Sequence, residues 1–132
     1  SLFADAKSVL TYLRQRYQIG ALTNGNADVR KTEIGEHFDF AWRAEEFGVS
    51  KPHPAFFHSA FAQAGVTPEE VLHIGDCHHN DVDGAVAAGA KAIWLKPEGG
   101  VSDIASEVIL SLSDLPSAIG RVLGSRGCNK QR

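Results

Sequence analysis

The chain has 132 residues, 43% of them hydrophobic and 22% charged, which suits one domain with a core of its own. Thirteen basic against sixteen acidic residues leave a formal charge of −3, so there is no basic field of the kind that recruits nucleic acid or an anionic membrane. No apolar run approaches the roughly 20 residues that a bilayer span needs, no signal peptide is visible, and two cysteines without CxxC spacing, Cys77 and Cys128, fit a soluble, reduced cytoplasmic protein.

In chain order, Val9, Leu10, Leu13 and Tyr17 recur at helical spacing with Arg14, Gln15 and Arg16 on the other side, which predicts an amphipathic first helix over residues 5–17. Residues 18–22 read as a buried strand. It ends in the polar turn Thr23-Asn-Gly-Asn26, which can start a helix that buries Val29, Ile34 and Phe38. A short strand over residues 38–42 leads through a loop or single turn at 44–48 to Ser50-Lys-Pro-His-Pro54. Pro54 is well placed in the first turn of a helix with Phe57, Ala60, Phe61 and Ala64 on its apolar side and Gly65 at its end.

Thr67-Pro-Glu-Glu70 has the Thr-x-x-Glu form of a capping box, so one helical turn precedes the next strand, in which Val71, Leu72 and Ile74 are apolar. That strand turns at Gly75 and sets Asp76 at its carboxyl end, and Asp81 follows near the start of a small-residue helix that stops at Gly89. Strands over 92–95 and 108–110 and a closing helix over 115–123 complete the pattern, and residues 124–132 read as a disordered polar tail. The chain contains no methionine, not even an initiator, which suggests a trimmed or incomplete start. Strands and helices alternate throughout, so the expected architecture is a parallel sheet with helices on both faces.

Parallel strands gather the residues at their carboxyl ends along one edge of the sheet, where open α/β sheets bind ligands. Thr23, Lys51 and the pair Asp76 and Asp81 fall there or one loop beyond. A hydroxyl, an ammonium and two carboxylates suit an anion held beside a divalent metal. Each has a plainer reading when taken alone. Thr23 serves equally as a helix N-cap, Lys51 as a solvated surface lysine, and the acidic turn as a solvated turn with a capping acid.

Taken in order and at these separations, Leu22-Thr-Asn-Gly25, Ser50-Lys-Pro-His-Pro54 and Gly75-Asp-x4-Asp81 closely resemble motifs two, three and four of the haloacid dehalogenase-like hydrolases. The likeness runs from about Leu2 to Leu123. Phe38-Asp-Phe40, Ala44-Glu-Glu-Phe-Gly48 and Asp83-Gly-Ala-x-Ala-Ala-Gly89 look like the subgroup of small-metabolite phosphatases, including those acting on flavin mononucleotide. The resemblance implies a Rossmannoid three-layer α/β/α fold over residues 1–123 and magnesium-dependent hydrolysis of a small phosphorylated metabolite. It implies that Thr23, with Asn24 and Gly25, binds the phosphoryl group and that Lys51 neutralises its charge. Asp76 would ligate magnesium, and Asp81 would support Lys51 or the metal and its water shell.

The family's first motif is an Asp-x-Asp at the end of an apolar strand, and no such element occurs here. Asp5 stands alone, and Asp81-Val-Asp83 follows His78-His-Asn80 rather than an apolar run. The resemblance therefore implies that the first, central strand and the cap are missing. This chain alone should be inactive, since it cannot form an aspartyl-phosphate intermediate. Loss of a strand from between those ending at Thr23 and Gly75 would leave two unpaired edges. A rearranged sheet, a homodimer or strand-swapped assembly, or a fragment of a longer protein would then be expected. The alternative is a non-catalytic remnant that binds phosphate, a metal or another subunit. A third reading, a metal hydrolase using His73, His78 and His79, is weak because adjacent histidines diverge and no HExxH spacing occurs. His78 and His79 are expected to be exposed loop residues.

Overall fold

Two neighbouring residues on one strand show how the layers are built. In β4 (Lys91–Leu95) the side chains of Ala92 and Ile93 point to opposite faces, as the period of two requires, and both are buried. Ala92 joins a core made with Phe56, Phe57, Ala60 and Phe61 of α3 (Pro54–Ala64) and with Val82 and Ala85. Ile93 joins a second core made with Val9 and Leu13 of α1 (Leu2–Arg14) and Leu115, Ala118, Ile119 and Val122 of α5 (Leu115–Lys130). The spacing 115, 118, 119, 122 is one helical face. Three layers follow, with α3 on one side of the strands and α1 and α5 on the other. The computed structural model describes residues 2–25, 31–32 and 35–130, without the side chains of 2–4 and 125–130.

All five described strands run parallel. β1 (Gly20–Thr23) pairs with β2 (Phe40–Arg43) in the register Gly20 to Phe40 through Thr23 to Arg43. β3 (Leu72–Gly75) pairs with β4, which pairs with β5 (Glu107–Ile109). The two ladders are separate sheets, and no ladder joins β1 to β3. The expected single sheet is thus divided at the place where the sequence predicted two unpaired edges.

Local chemistry sets most boundaries. Pro54 opens α3 after His53, whose Nδ1 accepts from the Ala55 N–H at 3.0 Å, and Gly65 closes it at φ 73°. The single turn α2 (Ala44–Phe47) ends at Gly48, φ 70°. The Thr67 N–H donates to Glu70 Oε1 at 2.9 Å across the 3-10 turn Pro68–Glu70, as the capping-box pattern predicted. Of the helix expected after Thr23, Val29 and Ile34 lie outside the described residues. Phe38 is half-buried beyond the 3-10 turn Gly35–His37.

Two elements differ from expectation. The helix after Asp76 begins as a π-helical turn, His78–Asp83, and only then becomes α4 (Gly84–Ala87). α5 runs to Lys130, so residues 124–130, expected as a disordered tail, continue the helix. Its apolar face stops near Leu123, but no proline follows to break the backbone ladder.

Candidate active site

Lys51 and Asp81 form the centre. Lys51 Nζ donates to Asp81 Oδ1 at 2.7 Å and to the Leu22 carbonyl at 3.1 Å, and both side chains are nearly buried, 11% and 6% exposed. Asp81 Oδ1 also accepts from His73 Nε2 at 2.9 Å, and Oδ2 accepts from the Cys77 N–H at 3.2 Å. The imidazole must carry its proton on Nε2, since an ionised carboxylate only accepts. Leu22 is on β1 and His73 on β3, so this chain of contacts spans the division between the sheets. Burial alone would raise the Asp81 carboxyl. Hydrogen bonds from His73 and Lys51 and their charge outweigh it and lower the group from its ordinary 3.8 to about 2.

The seat of Asp81 depends on Gly75. A Cβ there would run into the Asp81 carboxyl carbon and Oδ2. Gly84, in the turn that follows, likewise faces Phe57 at 2.7 Å and Pro52 Cα at 3.0 Å from where a Cβ would stand. Gly75 and Gly84 therefore let the π-helical turn approach β3 and the Lys51 loop.

Thr23 ends β1, and its Oγ1 is buried without a hydrogen-bond partner among the described residues. An orphaned buried hydroxyl costs stability unless a ligand or water satisfies it, so it fits a bound oxyanion. The side chain of Asn24, expected among the phosphate-binding residues, is turned to the lysine loop. Its Oδ1 accepts from the Lys51 N–H at 2.7 Å, and its Nδ2 donates to the Lys51 carbonyl at 3.0 Å. The amide holds the lysine loop against the end of β1.

Asp76 is exposed just past the end of β3, and its main-chain carbonyl accepts from Trp94 Nε1 at 3.0 Å. Among the described residues no three His, Cys, Asp or Glu side chains are grouped to hold a metal ion. A magnesium ion needs no such cage, because it keeps several waters and takes one or two carboxylates plus substrate phosphate. The exposed Asp76 carboxylate fits that requirement. Asp81, expected as a possible second ligand, has its oxygens occupied by Lys51, His73 and the Cys77 N–H. Of its two expected roles, the structure brings together the one at Lys51.

The histidines divide. His79 is exposed, as expected, whereas His78 is half-buried with its ring edge-on to Trp94, centroids 4.6 Å apart, and Nε2 2.7 Å from Ser102 Oγ. His73 serves Asp81. Sequence reasoning placed His73 only among weak metal candidates and missed Trp94, whose indole N–H is indistinguishable in sequence from any apolar strand residue.

Between the facing edges of β1 and β3 lies a cavity of about 330 Å³. Gly20 and Leu22 line one side and Leu72 and Ile74 the other, with Phe61 of α3 and Ile119 of α5 on the two faces. Its walls are mainly apolar, with His73 among the lining residues.

A family model for haloacid dehalogenase-like hydrolases matches residues 1–89. The chain belongs to the haloacid dehalogenase-like hydrolases. Among relatives of this family, 5-amino-6-(5-phospho-D-ribitylamino)uracil phosphatase YigB of Escherichia coli is 37% identical over 91 residues, 69% of this chain and 38% of that protein. Phosphoserine phosphatase of Thermus thermophilus is 35% identical over 107 residues, 74% of this chain and 43% of that protein. A solved 2-haloacid dehalogenase from Pseudomonas syringae superposes with a TM-score of 0.85 at 37% identity, covering 92% of this chain and 54% of that one. The chain therefore spans less than half the length of these two phosphatases. Its α/β layers are those of the haloacid dehalogenase-like fold.

Proposed function

We propose that this chain supplies the phosphoryl-binding part of a magnesium-dependent phosphate monoester hydrolase, whose attacking carboxylate comes from a segment outside these 132 residues. The observation that carries the reading is the pairing of a buried, unpartnered Thr23 Oγ1 with Lys51, fixed between the Leu22 carbonyl and Asp81 at the same strand ends. Thr23 Oγ1 and the Asn24 and Gly25 N–H groups donate to phosphoryl oxygens. Lys51 neutralises their charge, and Asp81 with His73 holds the ammonium in place. Asp76 is the ligand offered to magnesium, which when bound supplies further neutralisation of phosphoryl charge.

A carboxylate nucleophile has to reach the phosphorus opposite the leaving oxygen, and the two acids at these strand ends, Asp76 and Asp81, have other roles. Asp81 is committed to Lys51 and His73, and Asp76 to the metal. The apolar gap between β1 and β3 supports a missing parallel strand that would end beside Lys51 and pair both open edges. It could come from the same polypeptide or from a second copy in a strand-swapped assembly. The substrate is a small phosphorylated metabolite.

The test is hydrolysis of an aryl phosphate with magnesium by the chain alone, and by the chain extended with an apolar strand that carries Asp-x-Asp at its end. Turnover only in the extended protein, abolished by Asp76→Asn, is the expected result. Turnover by the chain alone would refute the proposal, and inactivity of both would favour a non-catalytic phosphate-binding remnant.

A further inference from the structure

β3 stops at Gly75, which is the last residue in register with β4, opposite Trp94. Asp76 lies one residue beyond the ladder, so the strand pairing no longer fixes its peptide plane. The indole of Trp94 takes over that role. Its Nε1–H donates to the Asp76 carbonyl at 3.0 Å, a contact that reaches past the end of the ladder. An exposed carbonyl at a strand end would otherwise be free to turn toward water, and the direction of the Asp76 carboxylate would turn with it.

The indole is itself held from several sides. His78, two residues after Asp76, meets it edge-on at 4.6 Å and 76° between planes, and His78 Nε2 is anchored 2.7 Å from Ser102 Oγ. The ammonium of Lys96 lies 5.2 Å from the ring centroid. Gly100 closes the side: a Cβ there would stand 2.9 Å from Lys96 Cδ and 3.2 Å from Trp94 Cζ3. A ring constrained this way makes a better donor than a mobile side chain, because less rotational freedom is lost in keeping the bond.

We infer that Trp94 is a positioning residue for Asp76, fixing the turn so that the carboxylate is presented to a divalent cation. This rests on the reading of Asp76 as the magnesium ligand. Removing one hydrogen bond of this kind should weaken magnesium binding about five- to tenfold.

The experiment is calorimetric titration of the chain with magnesium in the presence of saturating inorganic phosphate and, separately, with inorganic phosphate alone, for the parent, Trp94→Phe, Trp94→Leu and Asp76→Asn. Trp94→Phe keeps a ring for His78 and Lys96 but has no N–H. It is expected to lose magnesium affinity by that factor while phosphate binding, which depends on Thr23 and Lys51, is unchanged. Trp94→Leu should show at least the same loss, and Asp76→Asn should abolish magnesium binding. A merely structural role would weaken magnesium and phosphate together, and that outcome would overturn the inference, as would parental magnesium affinity in Trp94→Phe. If the parent binds no magnesium, or Asp76→Asn binds it equally well, the assignment of Asp76 fails and the positioning role fails with it. Those results are separable from the case in which only Trp94 is irrelevant.

Discussion

Replacing Asp81 with Asn keeps the shape of the side chain and removes its charge. The folded chain holds this carboxyl at about 2 against an ordinary 3.8, a preference for the ionised form worth roughly 2 to 3 kcal/mol. The folded-state value is the lower one, so the stabilisation is complete above about pH 5 and is lost as the pH falls toward 2. Near pH 3 about half of it is left. At neutral pH, Asp81→Asn should cost about 2 to 3 kcal/mol, because the nearly buried Lys51 ammonium keeps only the Leu22 carbonyl and an uncharged neighbour. Urea unfolding of parent and variant, followed by tryptophan fluorescence at intervals of pH, measures the difference directly. The gap between the two curves should narrow steadily below about pH 4. A gap that stays constant down to the lowest pH at which the parent folds would show that the Lys51 and His73 contacts do not hold the carboxyl down. Replacing both charged groups, Lys51→Met with Asp81→Leu, should recover only part of the lost stability, since the stranded ammonium is gone but His73 Nε2–H and the Cys77 N–H lose their acceptor.

Three further outcomes are expected. Gly75→Ala places a methyl against the Asp81 carboxyl and should cost about 1 to 3 kcal/mol in thermal or urea unfolding, with the Lys51 pairing disturbed. Thr23→Val removes the orphaned hydroxyl at nearly constant volume, so it should leave stability unchanged or raise it by about 1 kcal/mol while inorganic phosphate binding weakens; a loss of stability would mean that Oγ1 has a partner in the free protein. Asn24→Ala cuts both bonds to the Lys51 main chain and should destabilise by about 1 to 2 kcal/mol; unchanged stability would show that the amide does not hold the loop.

The elements were legible where the chemistry that makes them is local. Pro54 and Gly65 bracket α3, Thr67 and Glu70 mark their turn, and the apolar run before Gly75 marks β3, because each signal is contained within a few residues of the feature it specifies. Thr23, Lys51 and Asp81 were legible as candidates because strand ends of a parallel sheet share one edge. What was hidden is non-local. Nothing around Asn24 shows that its amide is spent on Lys51, 27 residues away. His73 and Trp94 sit at ordinary strand positions, and their roles arise only when the π-helical turn is laid against β3 and β4. The π-helical turn itself was unreadable: Ala85, Ala87 and Ala88 fit any helix, whereas the close approach at Gly75 and Gly84 selects the wider turn.

The site also explains how a divided sheet can hold a single binding geometry. Thr23 and Asn24 lie at the end of the β1 and β2 sheet, while Asp76 and Trp94 lie at the end of the other, so any sliding of one ladder against the other would pull the proposed anion-binding atoms away from the proposed metal ligand. Helices cover both faces of the division, and across its carboxyl end a polar connection runs from the Leu22 carbonyl and the Asn24 amide through Lys51 and Asp81 to His73. Hydrogen bonds and one ion pair are weaker restraints than a strand paired on both edges. Filling the gap should therefore stabilise the protein and tighten phosphate binding together, whereas cutting the bridge should loosen both. A strand that raised the unfolding temperature without changing phosphate affinity would show that the bridge alone fixes the site.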